Sequence, residues 1–218
     1  GLPSGVLNFI TGPGEIVGAR MVEHPQTRFI SFTGSKAVGV GIYEAAAKVH
    51  PGQKWLKRSI LEMGGKDAVL VDETADLEAA AQGIVASAFG FQGQKCSAGS
   101  RAIIVDSVYD TVAARVVELA SKLTVGATDA GLEFDLGPVI DSDSWNKISE
   151  YLEIGKGEGK LLLGGAPIEN PEGGYFIPPT IFGDASPSAR IACEEIFGPV
   201  LTLVRAQDFD EALDIGNN

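Results

Sequence analysis

Apolar positions along the first 64 residues come in short runs broken by glycine and proline. Val6–Ile10 reads as a strand, closed by the Gly12-Pro-Gly14 turn, with a helix from about Glu15 to Val22. Residues 28–32 read as the next strand, Thr33-Gly-Ser35 as the turn after it, and Ala37 to Val49 as a helix ended by Pro51-Gly52. Arg58 to Met63 supplies a third strand. This β-α-β-α-β order predicts a parallel, doubly wound α/β sheet with helices on both faces.

The pattern restarts after the paired glycines 64 and 65, where we place a domain boundary. Asp67–Val71 is a nearly continuous apolar strand, and Thr74 or Asp76 can cap a helix over Leu77 to Phe89. Arg101–Val105 reads as a strand, Tyr109 to Lys122 as a helix, and Trp145 to Ile154 as another. The stretch from Gly164 to Pro179 reads as a loop holding a short strand, Val200–Val204 as a strand, and Phe209 onward as a helix.

Composition narrows the function classes. The chain has 218 residues, 44% of them hydrophobic, enough to bury a core. Seventeen basic against 29 acidic residues give a net charge of −12, which argues against nonspecific binding to nucleic acid or anionic membranes. No apolar run is long enough to span a bilayer. The two cysteines, Cys96 and Cys193, are expected as free thiols in a reducing cytoplasm. The two histidines, His24 and His50, belong to no metal-ligand cluster, so no metal site is expected.

Candidate chemistry lies in three runs: Leu61-Glu-Met-Gly-Gly-Lys66, Gly90-Phe-Gln-Gly-Gln-Lys-Cys-Ser-Ala98 and Glu194-Glu-Ile-Phe-Gly-Pro199. A soft nucleophile, a carboxylate that can serve as its base and a second carboxylate beside an aromatic suggest covalent catalysis on a carbonyl. Each residue also has an ordinary structural reading. Cys96 can be a small buried hydrophobe. Glu62, 34 residues upstream, can be a strand-end carboxylate pairing with a surface cation such as Lys66. Thr33-Gly-Ser35 can be a plain helix cap. Glu195 and Phe197 can be a polar helix end and a core aromatic. Gly12, Gly14 and Gly18 have the spacing G-x-G-x-x-x-G, one residue too long for the dinucleotide fingerprint, and read as a structural turn.

These runs, together with Phe32-Thr-Gly-Ser-Lys36 and Ala192-Cys193, resemble in order and wording the aldehyde dehydrogenase superfamily, most closely its Δ1-pyrroline-5-carboxylate (glutamate semialdehyde) dehydrogenase branch. The resemblance implies residues 1–64 as part of a Rossmann-like NAD(P)-binding domain and 65–218 as a C-terminally incomplete catalytic domain. It implies Cys96 as nucleophile and Glu62 as a partly desolvated general base. Gly34 and Ser35 would lie beside the cofactor pyrophosphate, Glu195 at the nicotinamide ribose hydroxyls, and Phe197 by the nicotinamide ring. NAD is the implied cofactor, with NADP left open, because the strand position that chooses between them is not in the chain. The implied reaction oxidises glutamate γ-semialdehyde to glutamate in proline catabolism. Another semialdehyde or simple aldehyde is the alternative, and a noncatalytic binding relative is the alternative from another class. The implied complete protein is a cytoplasmic homo-oligomer (in the mitochondrial matrix if eukaryotic). Family members are more than twice this length, so these 218 residues alone are expected to be inactive.

Overall fold

The computed structural model describes residues 1–129, 133–168 and 173–217. The chain divides into two compact units, Gly1–Gly64 and Gly65–Asn218. Among the described residues no helix is long and apolar enough to cross a membrane.

The first unit is built on two parallel strands, β1 (Phe29–Thr33) and β2 (Arg58–Glu62), paired Phe29 to Arg58 through Thr33 to Glu62. A π-helical turn, Gly14–Gly18, leads into α1 (Ala19–Glu23). The crossover is α2 (Lys36–Ala47), capped by Ser35, whose Oγ accepts from the Val38 amide at 3.4 Å. Met63 packs under this helix, where a Cβ on Gly39 would meet its Sδ at 2.6 Å.

The strand expected at Val6–Ile10 does not form. A strand is held by its ladder partner, and no described residue pairs with this segment, which leaves Leu7 and Phe9 82% and 92% exposed.

The second unit is a five-stranded sheet of order β3-β4-β7-β6-β5. Its strands are β3 (Ala68–Val71), β4 (Arg101–Val105), β5 (Lys160–Leu163), β6 (Thr180–Gly183) and β7 (Val200–Ala206). All neighbours are parallel except β5, which runs antiparallel to β6. The expected short strand within Gly164–Pro179 is a single bridge, Ile168 to Phe176, and residues 169–172 lie outside the described residues. The real strands, β5 and β6, flank that stretch.

Side-chain alternation splits the core across the sheet. Ala102, Ile104, Leu201 and Leu203 face α3 (Leu77–Phe89) and α4 (Asp106–Ala120). Ile103, Val204 and Ala206 face the other side, against α7 (Phe209–Gly216). Phe182 and Val200 join α5 (Ser142–Glu158) and the short α6 (Arg190–Cys193) there. Burial on both faces is why β4 and β7 read as nearly continuous apolar runs. Asp76, not Thr74, caps α3, its Oδ1 accepting from the amides of Glu78 and Ala79. Thr74 instead donates to Asp72 at 2.6 Å.

Candidate active site

In the first unit, adjacent parallel strands bring two sequence-distant segments together. Thr33 and Glu62 are register partners at the C-terminal ends of β1 and β2, and the Gly34 amide donates to the Glu62 carbonyl at 3.0 Å. The Gly34–Ser35 turn and Glu62 are therefore neighbours. Glu62 is exposed, so it lacks the partly desolvated setting expected of it.

Ser35 is the helix cap that its local sequence allowed, and the first-turn amides of α2 have no carbonyl four residues back to bond. A cavity of about 750 Å³ lies in this unit, lined by Gly14, Gly18, Val22, Phe32, Val38 and Ile42 among others. The turn read as purely structural thus also walls a predominantly apolar cleft.

In the second unit the candidate residues gather by topology. Gly65–Lys66 enters β3, Cys96 lies in the segment entering β4, and Glu195–Phe197 lies in the segment entering β7. Since β3, β4 and β7 are parallel neighbours, their entries share one edge of the sheet. Backbone bonds stitch that edge, with the Arg101 amide donating to Asp67 (3.4 Å) and the Thr202 amide to Ser100 (3.0 Å).

Gly65 sits at the centre. Its amide donates to Glu195 Oε1 at 3.3 Å, and a Cβ on it would lie 3.0 Å from the Cys96 carbonyl oxygen. Cys96 is an exposed free thiol, which removes the reading of a buried hydrophobe. It follows α3 after a turn in which Phe91, Gln92 and Gly93 all have positive φ (57°, 58° and 66°). The Lys95 amine lies 5.9 Å from the Phe91 ring.

That turn packs on the Phe197–Gly198 segment, where a Cβ on Gly93 would come 2.2 Å from the Gly198 carbonyl oxygen. Phe197 is 39% exposed with φ 61°, not a core aromatic. Non-glycine residues in the left-handed region persist only where their surroundings hold them, and they gather at functional sites.

The neighbours of Glu195 are fixed. Lys147 donates to its carbonyl at 2.9 Å. Glu194 accepts from the Tyr151 hydroxyl and from Arg190, which holds its carboxyl below the usual range. Cys193 donates to the Pro187 carbonyl.

Two residues escaped the sequence reading. Gly65 was visible only as a boundary glycine. Lys66 is the surface cation in the structural reading of Glu62, yet its Nζ is buried and has no hydrogen-bond partner among the described residues. Burial of its ammonium lowers it to about 8. Both lie in the Leu61–Lys66 run, where residue type alone shows neither the burial of the amine nor the contact of the glycine amide.

The model of the aldehyde dehydrogenase family matches residues 1–218. A 1-pyrroline-5-carboxylate dehydrogenase of Geobacillus kaustophilus is 63% identical over the whole chain, and one of Bacillus subtilis is 59% identical. The chain spans 42% of the length of each of these relatives. The crystal structure of a Thermus 1-pyrroline-5-carboxylate dehydrogenase with bound NAD superposes with a TM-score of 0.96 at 55% identity, covering 100% of this chain and 42% of that one. With four motif segments in order, an α/β fold shared across the full chain and a family match from first residue to last, the chain belongs to the aldehyde dehydrogenase family.

Proposed function

We propose that the full-length protein oxidises L-glutamate γ-semialdehyde, the open form of pyrroline-5-carboxylate, to glutamate with NAD, through a thioester on Cys96. The observation that carries this reading is the convergence on Gly65 of the exposed Cys96 segment and the Glu195 carboxylate. The substrate assignment draws on the relatives, which are named 1-pyrroline-5-carboxylate dehydrogenase at 55–63% identity.

Residues 1–64 form part of the cofactor domain in this reading and 65–218 the catalytic domain. Their residues fit a dinucleotide. The cleft in the first unit has the apolar walls a flat heterocycle needs, beside a helix N-terminus suited to phosphate. In the second unit an exposed ring and a carboxylate, Phe197 and Glu195, suit a nicotinamide and a vicinal diol. Gly34 and Ser35 would take the pyrophosphate. When bound, the dinucleotide supplies the acceptor for the hydride that leaves the substrate carbon.

The chain's own residues do the rest. Cys96 sulfur, as thiolate, bonds to the aldehyde carbon, and the Cys96 amide donates to the oxyanion formed. After loss of the hydride, Cys96 carries the acyl group. Glu62 takes a proton from water as its oxygen attacks the acyl carbon. The C–S bond breaks and the sulfur leaves as thiolate, freeing the acid. A base at position 62 favours hydrolysis over transfer of the acyl group to a thiol carrier. By the same family reasoning the complete enzyme is a cytoplasmic homo-oligomer.

The test compares initial rates of NADH formation by the full-length protein with pyrroline-5-carboxylate and with a simple aliphatic aldehyde, with Cys96→Ala as control. A large preference for the first, lost in the variant, is expected. Equal rates would discard the substrate. Activity surviving in Cys96→Ala would sink the mechanism.

A further inference from the structure

The segment that carries Cys96 is two tandem turns, and Gln94 stands at their joint. The first turn closes with the Gln94 amide donating to the Phe91 carbonyl at 3.1 Å. The second closes with the Ala98 amide donating to the Lys95 carbonyl at 3.1 Å, and Cys96 lies inside it. Gln94 has φ −87° and ψ 51°, neither helical nor extended, so a change in its backbone angles would swing the Cys96 turn as a body. The first turn is also strained. Phe91 and Gln92 are non-glycine residues with positive φ, which costs roughly 1–2 kcal/mol each. Such geometry persists only where neighbours hold it.

The side-chain bonds that hold it run to one short segment, residues 136–140. Gln94 Oε1 accepts from the Ile140 amide at 3.0 Å. The Gln92 side chain, oriented as its neighbours require, accepts from the Gly137 amide at 2.6 Å and donates to the Phe91 carbonyl at 3.0 Å. That segment is itself anchored. Leu136 is buried in the core, and its carbonyl accepts from the Gly126 amide at 3.0 Å. Val139 is buried too, its amide donating to the Tyr175 carbonyl at 2.9 Å. Ile140 is 76% exposed, so its side chain adds little packing and its amide is the contact with Gln94.

We propose that Gln94 is a positioning residue for Cys96. Its side-chain carbonyl, bound to the Ile140 amide, fixes the joint between the two turns and so the direction from which the Cys96 sulfur meets the aldehyde carbon. Gln92 secures the turn before it. This rests on the function proposed above. Bond formation to the aldehyde needs the sulfur aligned with the carbonyl, whereas reaction with a small, freely diffusing alkylating agent needs only an exposed thiolate. The two reactions therefore separate position from exposure and ionisation.

The experiment uses the full-length protein and its Gln94→Leu variant, which keeps the bulk and removes the acceptor. Initial rates of NADH formation are measured with pyrroline-5-carboxylate and with a simple aliphatic aldehyde at varied NAD. Alkylation by iodoacetamide is followed in parallel and read on the peptide holding Cys96. Gln94→Leu is expected to lower kcat about tenfold. The KM for NAD, the alkylation rate and the melting temperature are expected to stay close to those of the parent. Gln94→Glu keeps an oxygen to accept from the Ile140 amide and is expected to recover most of the lost kcat. It is assayed at about pH 9, above the usual thiol pKa of about 8.5, so that its added charge acts little through ionisation.

An unchanged kcat in Gln94→Leu would overturn the proposal. So would a fall in alkylation matching the fall in kcat, because exposure or ionisation of the thiol would then be what the glutamine controls. Should Gln94→Leu fail to fold, a tenfold loss of kcat in Gln94→Glu does the same. Failure of the underlying function looks different, since the parent protein would then form no NADH with either aldehyde while its Cys96 still reacts with iodoacetamide.

Discussion

The amide of Gly34 donates to the carbonyl of Glu62 at 3.0 Å, tying the turn that opens α2 to the last residue of β2. Parallel pairing of Thr33 with Glu62 makes this bond, and 28 positions separate the two residues it joins (62 − 34). The candidate phosphate turn and the candidate base thus share one end of a two-stranded sheet.

Gly34→Ala tests that turn. A Cβ there would lie 2.4 Å from the tip of the Phe32 ring, which must swing into the cleft it lines. We expect a KM for NAD raised about tenfold, with kcat at saturation little changed. Steady-state kinetics at varied NAD checks it, and an unchanged KM would separate the turn from the cofactor.

Gly65→Ala tests the centre of the second unit. The added Cβ would sit 3.0 Å from the Cys96 carbonyl oxygen and 3.1 Å from Asp67 Oδ1, so the Cys96 segment must shift. Displacement of a reacting group by a fraction of an ångström is expected to lower kcat about 10²-fold. Rates of NADH formation, beside a melting curve close to that of the parent, would show this.

Gly93→Ala is expected to act on stability first. The position has φ +66°, and a Cβ would come 2.2 Å from the Gly198 carbonyl oxygen and 2.9 Å from that of Ala88. Backbone on both sides leaves no flexible side chain to yield. We expect a loss of about 3 kcal/mol, the sum of left-handed strain and overpacking, read by urea unfolding.

Arg101→Met leaves three carbonyls, those of Lys66, Ile215 and Gly216, without their buried donor. The cost is expected at about 3 kcal/mol. Faster amide exchange localised to α7 would distinguish this loss from general destabilisation.

The amino-acid pattern determined the central strands, because β4 and β7 are buried on both faces and must be apolar throughout. It also marked the division at the paired glycines and offered Asp76 as a cap. The motif words supplied Cys96, Glu62, Gly34, Ser35, Glu195 and Phe197 as candidates, since side-chain chemistry is written in residue type. Only the tertiary structure decided which of these meet. Strand order β3-β4-β7 is a long-range choice that no window of sequence contains, and it gathers Gly65, Cys96 and Glu195 at one edge. Pairing likewise denied Val6–Ile10 its strand, since a ladder needs a neighbour as well as propensity. Burial of the Lys66 amine and exposure of Phe197 reverse what their residue types suggest, because accessibility belongs to the packed neighbours and not to the residue itself.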